Sequence, residues 1–288
     1  MLSAGLRSTA LYLLVCVLPA CTSAPPPQAA FSFALMGDTP YSQAQANLFD
    51  ALIDGMNAEP LAFVVHVGDI TSGRGPCDDG WLEARKRQFS RIRHTFVLLP
   101  GDNEWTDCHR GGFDPLERLA KWRSLFCVPI PALGLERQSG ATCENVRWEV
   151  DGTVFAGVNV PGSNNNLGRT PDMDAEHAER MRAVFAWLDE AEMQARRSEG
   201  LVVMMQANPF RKPRSGSDGY AAMRGRLQRL AQAFPGKVLL VHGDTHTFRD
   251  DEPLPGLLRI EVFGSPHVRW LRASGSGGGF RVEAAGLP

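Results

Sequence analysis

Four times in this chain an apolar run ends in Gly-Asp: "FALMGDTPY", "VVHVGDITSG", "FVLLPGDNEW" and "LLVHGDTHTF". Each run has the apolar make-up of a buried strand, and the glycine lets the backbone turn sharply as it leaves. Composition alone would give about two such pairs, so the repeated context says more than the count. It predicts strands that deliver Asp38, Asp69, Asp102 and Asp244 to one crevice, because ligands in α/β folds sit at the carboxyl ends of strands. Four converging carboxylates repel one another and are costly to keep ionised without a cation. A metal centre resolves this, with His246 of "GDTH" as a further donor; the rival reading of any single Gly-Asp is a plain turn.

The rest of the chain alternates. "FSFALM", "LAFVVHV", "TFVLL", "LVVMMQ" and "KVLLV" read as strands, with helical patterns between them. In "SQAQANLFDALIDGMN" the apolar spacing falls on Leu48, Leu52, Ile53 and Met56, and Ser42 can cap the start. Asp114 and Pro115 open another helix, and "DG" between "VRWEV" and "TVFAGVNV" signals a hairpin. "LLRIEVFG", "VRWLRAS" and "FRVEAA" read as closing antiparallel strands. A β-α-β beginning and a run of strands at the end predict mixed sheets covered by helices, not a purely doubly wound sheet.

Arg7 precedes the apolar run "LYLLVCVLPAC", too short to span a bilayer. Residues 1–20 read as a signal peptide, residues 21–30 as a Pro-rich tether, and residues 31–288 as one large domain. "LPAC" resembles a lipobox, which implies lipid on Cys21; cleavage near Ala24 without a lipid is the rival reading. Thr22 in place of Asp then implies an outer-membrane position in the cell envelope, facing the periplasm, with the membrane met through the anchor alone. Export to an oxidising compartment suits Cys77, Cys108, Cys127 and Cys143 as disulfides. Of the three possible pairings, Cys77–Cys108 and Cys127–Cys143 is preferred, because each would staple a loop-rich insertion. The formal net charge of −2 implies no polyanion partner, and "ARKRQFSRIR" suits a solvated helix face better than a nucleic-acid site.

"GDTP", "GDIT", "GDNE", "QANP" and "GDTH" fall in the order of the sequence blocks of calcineurin-like metallophosphoesterases. Those blocks are GDxH, GDxx, GNH[ED], an isolated His after a strand, and GHxH. The resemblance spans nearly all of the mature chain. It implies a four-layer α/β/β/α sandwich of mixed sheets, two divalent metals, and hydrolysis of a phosphorylated substrate. Residue by residue, Asp38 matches the first-metal carboxylate, Asp69 the bridging carboxylate and His246 the last histidine. Elsewhere the chain departs: Pro40 replaces a His ligand, Asp102 an Asn, Gln206 a His and Asp244 a His, while Asn103 replaces the His that protonates the leaving group. Asp102, Gln206 and Asp244 retain oxygen donors, which points to Mn²⁺, Mg²⁺ or Ca²⁺ over Zn²⁺.

His242 is a candidate replacement acid; a packed core histidine is the rival reading, as it is for His66. "PGSNNN", with Asn165, and "NPFRKPR", with Arg211, Lys212 and Arg214, are candidate substrate-binding stretches or simple solvated loops. Glu104 and Asp107 can support the ligands or merely belong to a disulfide loop. Two functions follow: a lipid-anchored phosphoesterase, or a binding lipoprotein that kept the fold without catalysis.

Overall fold

A computed structural model of the chain describes Met1 and residues 31–130, 132–211, 216–276 and 279–285. The leader, Cys21, the tether, Lys212 and Arg214 lie outside the described residues. Among the described residues there are twelve strands: β1 (Phe31–Met36), β2 (Phe63–His66), β3 (Thr95–Leu98), β4 (Glu136–Arg137), β5 (Val146–Val150), β6 (Thr153–Gly157), β7 (Gly200–Met204), β8 (Val238–His242), β9 (Arg249–Leu254), β10 (Leu257–Glu261), β11 (Trp270–Ser276) and β12 (Gly279–Ala285). They form a five-stranded sheet, β12-β11-β1-β2-β3, and a seven-stranded one, β4-β5-β6-β7-β8-β10-β9. The central strands β1-β2-β3 and β6-β7-β8-β10 run parallel within their sheets, and the flanking strands are antiparallel.

Between the sheets, Phe33 and Phe63 of the first meet Trp148 and Phe155 of the second. Phe155 stacks on Trp148 at 5.3 Å and meets Phe63 edge-on at 5.0 Å. All four rings are buried, each contributing roughly 1.5–3 kcal/mol of transfer free energy. Helices α1 (Gln43–Asn57), α2 (Asp79–Phe89) and α3 (Pro115–Phe126) cover the smaller sheet. Helices α5 (Pro171–Ala195) and α6 (Ala221–Ala233) cover the larger. The result is the expected α/β/β/α sandwich. Among the described residues no helix is long and apolar enough to cross a membrane.

Local chemistry sets the ends of these elements. Ser42 accepts from Gln45 N, and Asp114 accepts from Leu116 N and Glu117 N ahead of Pro115. Asp151 and Gly152, at φ 49° and 72°, make the left-handed pair that a two-residue hairpin needs. Three expectations change. Leu48 faces solvent, and Phe49 takes the core position beside Leu52, Ile53 and Met56. The segment "LLRIEVFG" supplies β10, which joins β8 in parallel instead of pairing with β11. Its antiparallel partner is β9, a polar edge strand whose sequence "RDDEPL" carries no strand pattern.

Candidate active site

The parallel strands of both sheets end on one side of the sandwich. Hydrogen bonds cross between the two sets of loops: Asp244 N donates to both oxygens of Asp38, at 3.1 and 3.2 Å, and Gln206 Nε2 donates to Asp69 Oδ2 at 3.0 Å. Asp38, Asp69 and Asp244 leave their strands in the left-handed region, at φ 52°, 61° and 78°, which Asp tolerates better than most residues. Among the preceding glycines, Gly68 takes a positive φ of 117°, while Gly101 and Gly243 serve for room. A Cβ on Gly101 would collide with the Asp69 carboxylate, and one on Gly243 with that of Asp38. These two Gly-Asp pairs thus make space for the aspartates of two others.

Tyr41 lies at the centre of the first half of the site. Its hydroxyl is 3.1 Å from Asp69 Oδ2, 3.0 Å from His246 Nε2 and 3.5 Å from Asp38 Oδ1, and it accepts from Asn103 Nδ2 at 3.1 Å. His246 Nδ1 lies 2.8 Å from the Ser265 carbonyl and donates to it, which turns the Nε2 lone pair toward the site. Gln206 differs from the amide-oxygen ligand expected of it. Gly162 N–H claims its Oε1 at 2.6 Å, so the amide nitrogen faces the carboxylates.

The second half rests on α4 (Gly162–Asn165), a single turn. Ser163, Asn164, Asn165 and Asn166 have φ values of 48°, 57°, 56° and 65°, so the chain winds left-handed. Asn populates that region more readily than other non-glycine residues, which accounts for the run of three. The turn holds Ser163 Oγ 2.8 Å from Asp102 Oδ2 and 2.7 Å from Asp107 Oδ1. Arg110 Nη1 pairs with Asp107 Oδ2 at 2.6 Å. Asn208 N donates to Asp244 Oδ2, and Arg211 Nη1 stands 3.8 Å from Asp244 Oδ1. A cleft of about 550 Å³ opens here, walled by Tyr41, Asp69, Asp102, Asp107, Arg110 and Asp244.

Below the cleft, Glu104 is fully buried and ties two Gly-Asp loops together, accepting from Gly101 N, Asp69 N and Ile70 N. Both sulfurs of the Cys77–Cys108 disulfide lie 3.4 Å from the Asn103 carbonyl, so this staple braces the same loop; Cys127–Cys143 closes the other pairing. Burial, then the charge of Asp244, pushes the Asp38 carboxyl up to about 8. Burial raises Asp69 and Asp102 well above the carboxylate range, with neighbouring carboxylates adding to it, and lifts Glu104 to about 7. Asp244 is raised by burial as well.

Two candidate residues stand elsewhere. His242 is buried with Nδ1 2.8 Å from the Gly243 carbonyl, away from the cleft, and burial holds it down at about 3. Asn165 is buried too: its amide donates to Gly219 O and Met181 Sδ and accepts from Arg180, leaving nothing for a substrate. His66 packs between Thr39 O and Gly68 N. Asn103 does reach the cleft, and Arg211 lines it with half its side chain exposed. Sequence reading missed Tyr41, Ser163 and Arg110. The three successive amides flagged the turn that carries Ser163, but nothing in the sequence flagged the phenol.

The donor set fits a hard divalent cation. Asp102 and Asp244 place carboxylate oxygens on the cleft wall, the charge of Asp244 raises the proton affinity of Asp102, and Arg211, 3.8 Å from Asp244, is half exposed. Among solved structures, a dimetal phosphatase from Danio rerio superposes with a TM-score of 0.54 at 13% identity, over 89% of this chain and 98% of that one. A purple acid phosphatase from yellow lupin seeds gives 0.54 at 11%, over 91% and 52% of the two chains. A protein described as a 5′-nucleotidase from Staphylococcus aureus gives 0.51 at 14%, over 89% and 53%. At these identities the likeness is one of fold, and no curated protein matches the chain in sequence. The family model for calcineurin-like phosphoesterases matches residues 31–248, a span that holds every Gly-Asp loop, and the chain belongs to that family.

Proposed function

We propose that the chain is a metal-dependent phosphoesterase that hydrolyses phosphate esters, taking Mn²⁺, Mg²⁺ or Ca²⁺ in preference to Zn²⁺. The observation that carries this is the meeting of buried Asp38, Asp69 and Asp102 with partly buried Asp244, from both sheets, beside a cleft flanked by Arg110 and Arg211. A bound cation polarises the phosphoryl group and lowers the pKa of water. The chain's own residues do the rest. Arg110 and Arg211 offer planar donor forks to the non-bridging oxygens of a phosphate. Ser163 holds Asp102 and Asp107 in fixed orientation.

Asn103 donates through Nδ2 to Tyr41 and to the Thr71 carbonyl, and an amide gives up no proton at neutral pH. Positioned acid catalysis is worth roughly 10²–10⁴-fold, so the preferred substrates carry leaving groups that need no protonation. We also propose lipid attachment at Cys21 and a place at the outer membrane facing the periplasm, supported by the leader sequence and the two disulfides.

The test is hydrolysis of p-nitrophenyl phosphate and its diester by the mature chain, with each of Mn²⁺, Mg²⁺, Ca²⁺, Zn²⁺ and Fe²⁺. Turnover that chelation abolishes, and that Asp69→Asn and Asp102→Asn remove while the fold persists, is the expected result. Wild-type rates no higher than those of Asp69→Asn under every metal would leave the second reading, a binding protein without catalysis. The hydrogen-bond donors that already saturate Asp38 and Asp69 favour that reading.

A further inference from the structure

Asp38, Asp69 and His246 match the three first-metal ligands that the family pattern retains, yet a side chain of this protein stands among them. Ligand oxygens and nitrogens lie about 2.0–2.2 Å from a bound transition-metal cation, so two that share it are at most about 4.4 Å apart. Among the described residues, the one trio of Asp, Glu, His or Cys with ligand atoms all within 4.8 Å of one another is Cys127, Cys143 and Glu144, and its sulfurs are spent in a disulfide. Asp38 Oδ1 and His246 Nε2 stand 3.6 Å apart, but with Asp69 the three do not close to that spacing. What joins them is the Tyr41 oxygen, 3.0–3.5 Å from each.

The donors around each carboxylate show the same division. Asp69 accepts from Asn103 N at Oδ1, and from Tyr41 and Gln206 at Oδ2. Asp38 accepts from Asp244 N at both oxygens, with Gln206 and Tyr41 each 3.5 Å from Oδ1. These lone pairs are engaged by the protein itself. Asp102 and Asp244 belong to no such trio either, but they differ in their donors. Ser163 Oγ donates to the one and Asn208 N to the other, and both carboxylates face the cleft.

We propose that the Tyr41 hydroxyl stands in for the first metal, its oxygen set among Asp38, Asp69 and His246 and its one proton given to a single one of them, and that the chain holds a single divalent cation on the Asp102–Asp244 side; the inference rests on the metal-dependent reading of the site. Pro40 then marks an exchange instead of a plain loss. The histidine ligand is gone, and the next residue brings a hydroxyl into the position its metal would have filled. Arg110 and Arg211 on the cleft wall supply positive charge that a second cation would otherwise bring.

The test uses Mn²⁺ alone with the mature chain, counting bound ions by elemental analysis and recording the electron paramagnetic resonance spectrum. Wild type should hold one Mn²⁺ with the six-line signal of an isolated ion. Tyr41→Phe removes only the hydroxyl and should raise the count to two, with the signal of a spin-coupled pair. Tyr41→Ala does the same if the Phe ring alone still fills the space, and thermal melting checks that each variant folds. A wild-type count other than one overturns the proposal, and so do variants that hold no more Mn²⁺ than wild type. A fall in the variants would make Tyr41 a ligand. The counts need no turnover. An inactive chain that follows them removes the phosphoesterase reading alone, and an active chain holding two ions removes this inference alone.

Discussion

Arg180 is buried in α5 directly beneath the left-handed turn that carries Ser163. Its Nη1 donates to Asn159 O at 2.9 Å and to Asn165 Oδ1 at 2.7 Å, its Nη2 to Asn165 O at 3.0 Å, and its Nε to Glu176 Oε1 at 2.7 Å. The guanidinium also lies over Trp105, in the loop that bears Asp102. Arg180→Lys keeps the charge and the reach to Glu176 but loses the fork. A lysine ammonium in that place can meet about one of the three neutral acceptors. Two buried carbonyl-type oxygens then lose a charged donor, at about 1–2.5 kcal/mol each, so the variant should lose roughly 2–5 kcal/mol of stability. The turn has little of its own to resist with, since left-handed backbone costs an ordinary L residue roughly 1–2 kcal/mol and Asn somewhat less. It should relax and carry Ser163 away from Asp102 and Asp107.

Urea unfolding gives the stability change, and Mn²⁺ titration gives the effect on the site, where affinity should fall at least about tenfold, or 1.4 kcal/mol. Arg226→Lys is the control. Arg226 is equally buried and bridges α5 to α6 through Glu192, Asp189 and the Leu188 carbonyl, far from the cleft. It should cost stability without altering Mn²⁺ affinity. If Arg180→Lys lost stability but held Mn²⁺ as wild type does, the turn would not be what orders Asp102. A loss under about 0.5 kcal/mol would refute the hydrogen-bond reasoning itself.

Replacing either disulfide pair by serines should cost roughly 2–5 kcal/mol in urea unfolding, but only loss of Cys77–Cys108 should also weaken Mn²⁺ binding, because its sulfurs brace the Asn103 carbonyl. Burial holds His66 at about 4 and His242 at about 3, against an ordinary 6.5. The unfolded chain therefore takes up protons below pH 6.5 that these two histidines refuse in the fold, so their own contribution to stability should fall from there toward pH 4; set against wild type in a series of urea midpoints, His66→Gln should gain relative stability over that range, and a difference that does not change with pH would count against it. Cys21→Ser should release the chain from membranes and abolish acyl labelling; unchanged fractionation with no label on wild type would reject the lipid anchor.

The layers of the fold were legible because burial writes itself into local pattern. Strands such as "LAFVVHV" and "LVVMMQ" are apolar but for one residue each, His66 and Gln206, since both of their faces are covered, and caps such as Asp114-Pro115 are local chemistry. The polar edge strand β9 was not legible, because one side of it meets solvent and only its pairing to β10 makes it a strand. Leu48 misled for a related reason: a helix face chosen by spacing alone can rotate by one residue when a larger neighbour, here Phe49, fills the core.

The candidate site divides along a different line. The four aspartates were legible because each follows its own strand, so local sequence fixes where each one ends. What each does once there depends on contacts that no local pattern records. Tyr41 meets Asp69 and His246 across separations of 28 and 205 residues, and Gln206 meets Gly162 across 44. Reading Asp102, Gln206 and Asp244 as retained oxygen donors treated these three departures as changes of ligand. The hydrogen bonds sort those departures into two kinds. Asp102 and Asp244 keep carboxylates facing the cleft, where a cation can meet them. Gln206 instead gives its nitrogen to Asp69, and Asn103 gives its amide to Tyr41, as donors that satisfy carboxylates or position the group that does. A family site that has lost imidazoles can therefore stay charge-balanced by two routes, a harder cation or hydrogen-bond donors from the protein, and under the single-cation proposal the two routes fall on opposite sides of Asp69.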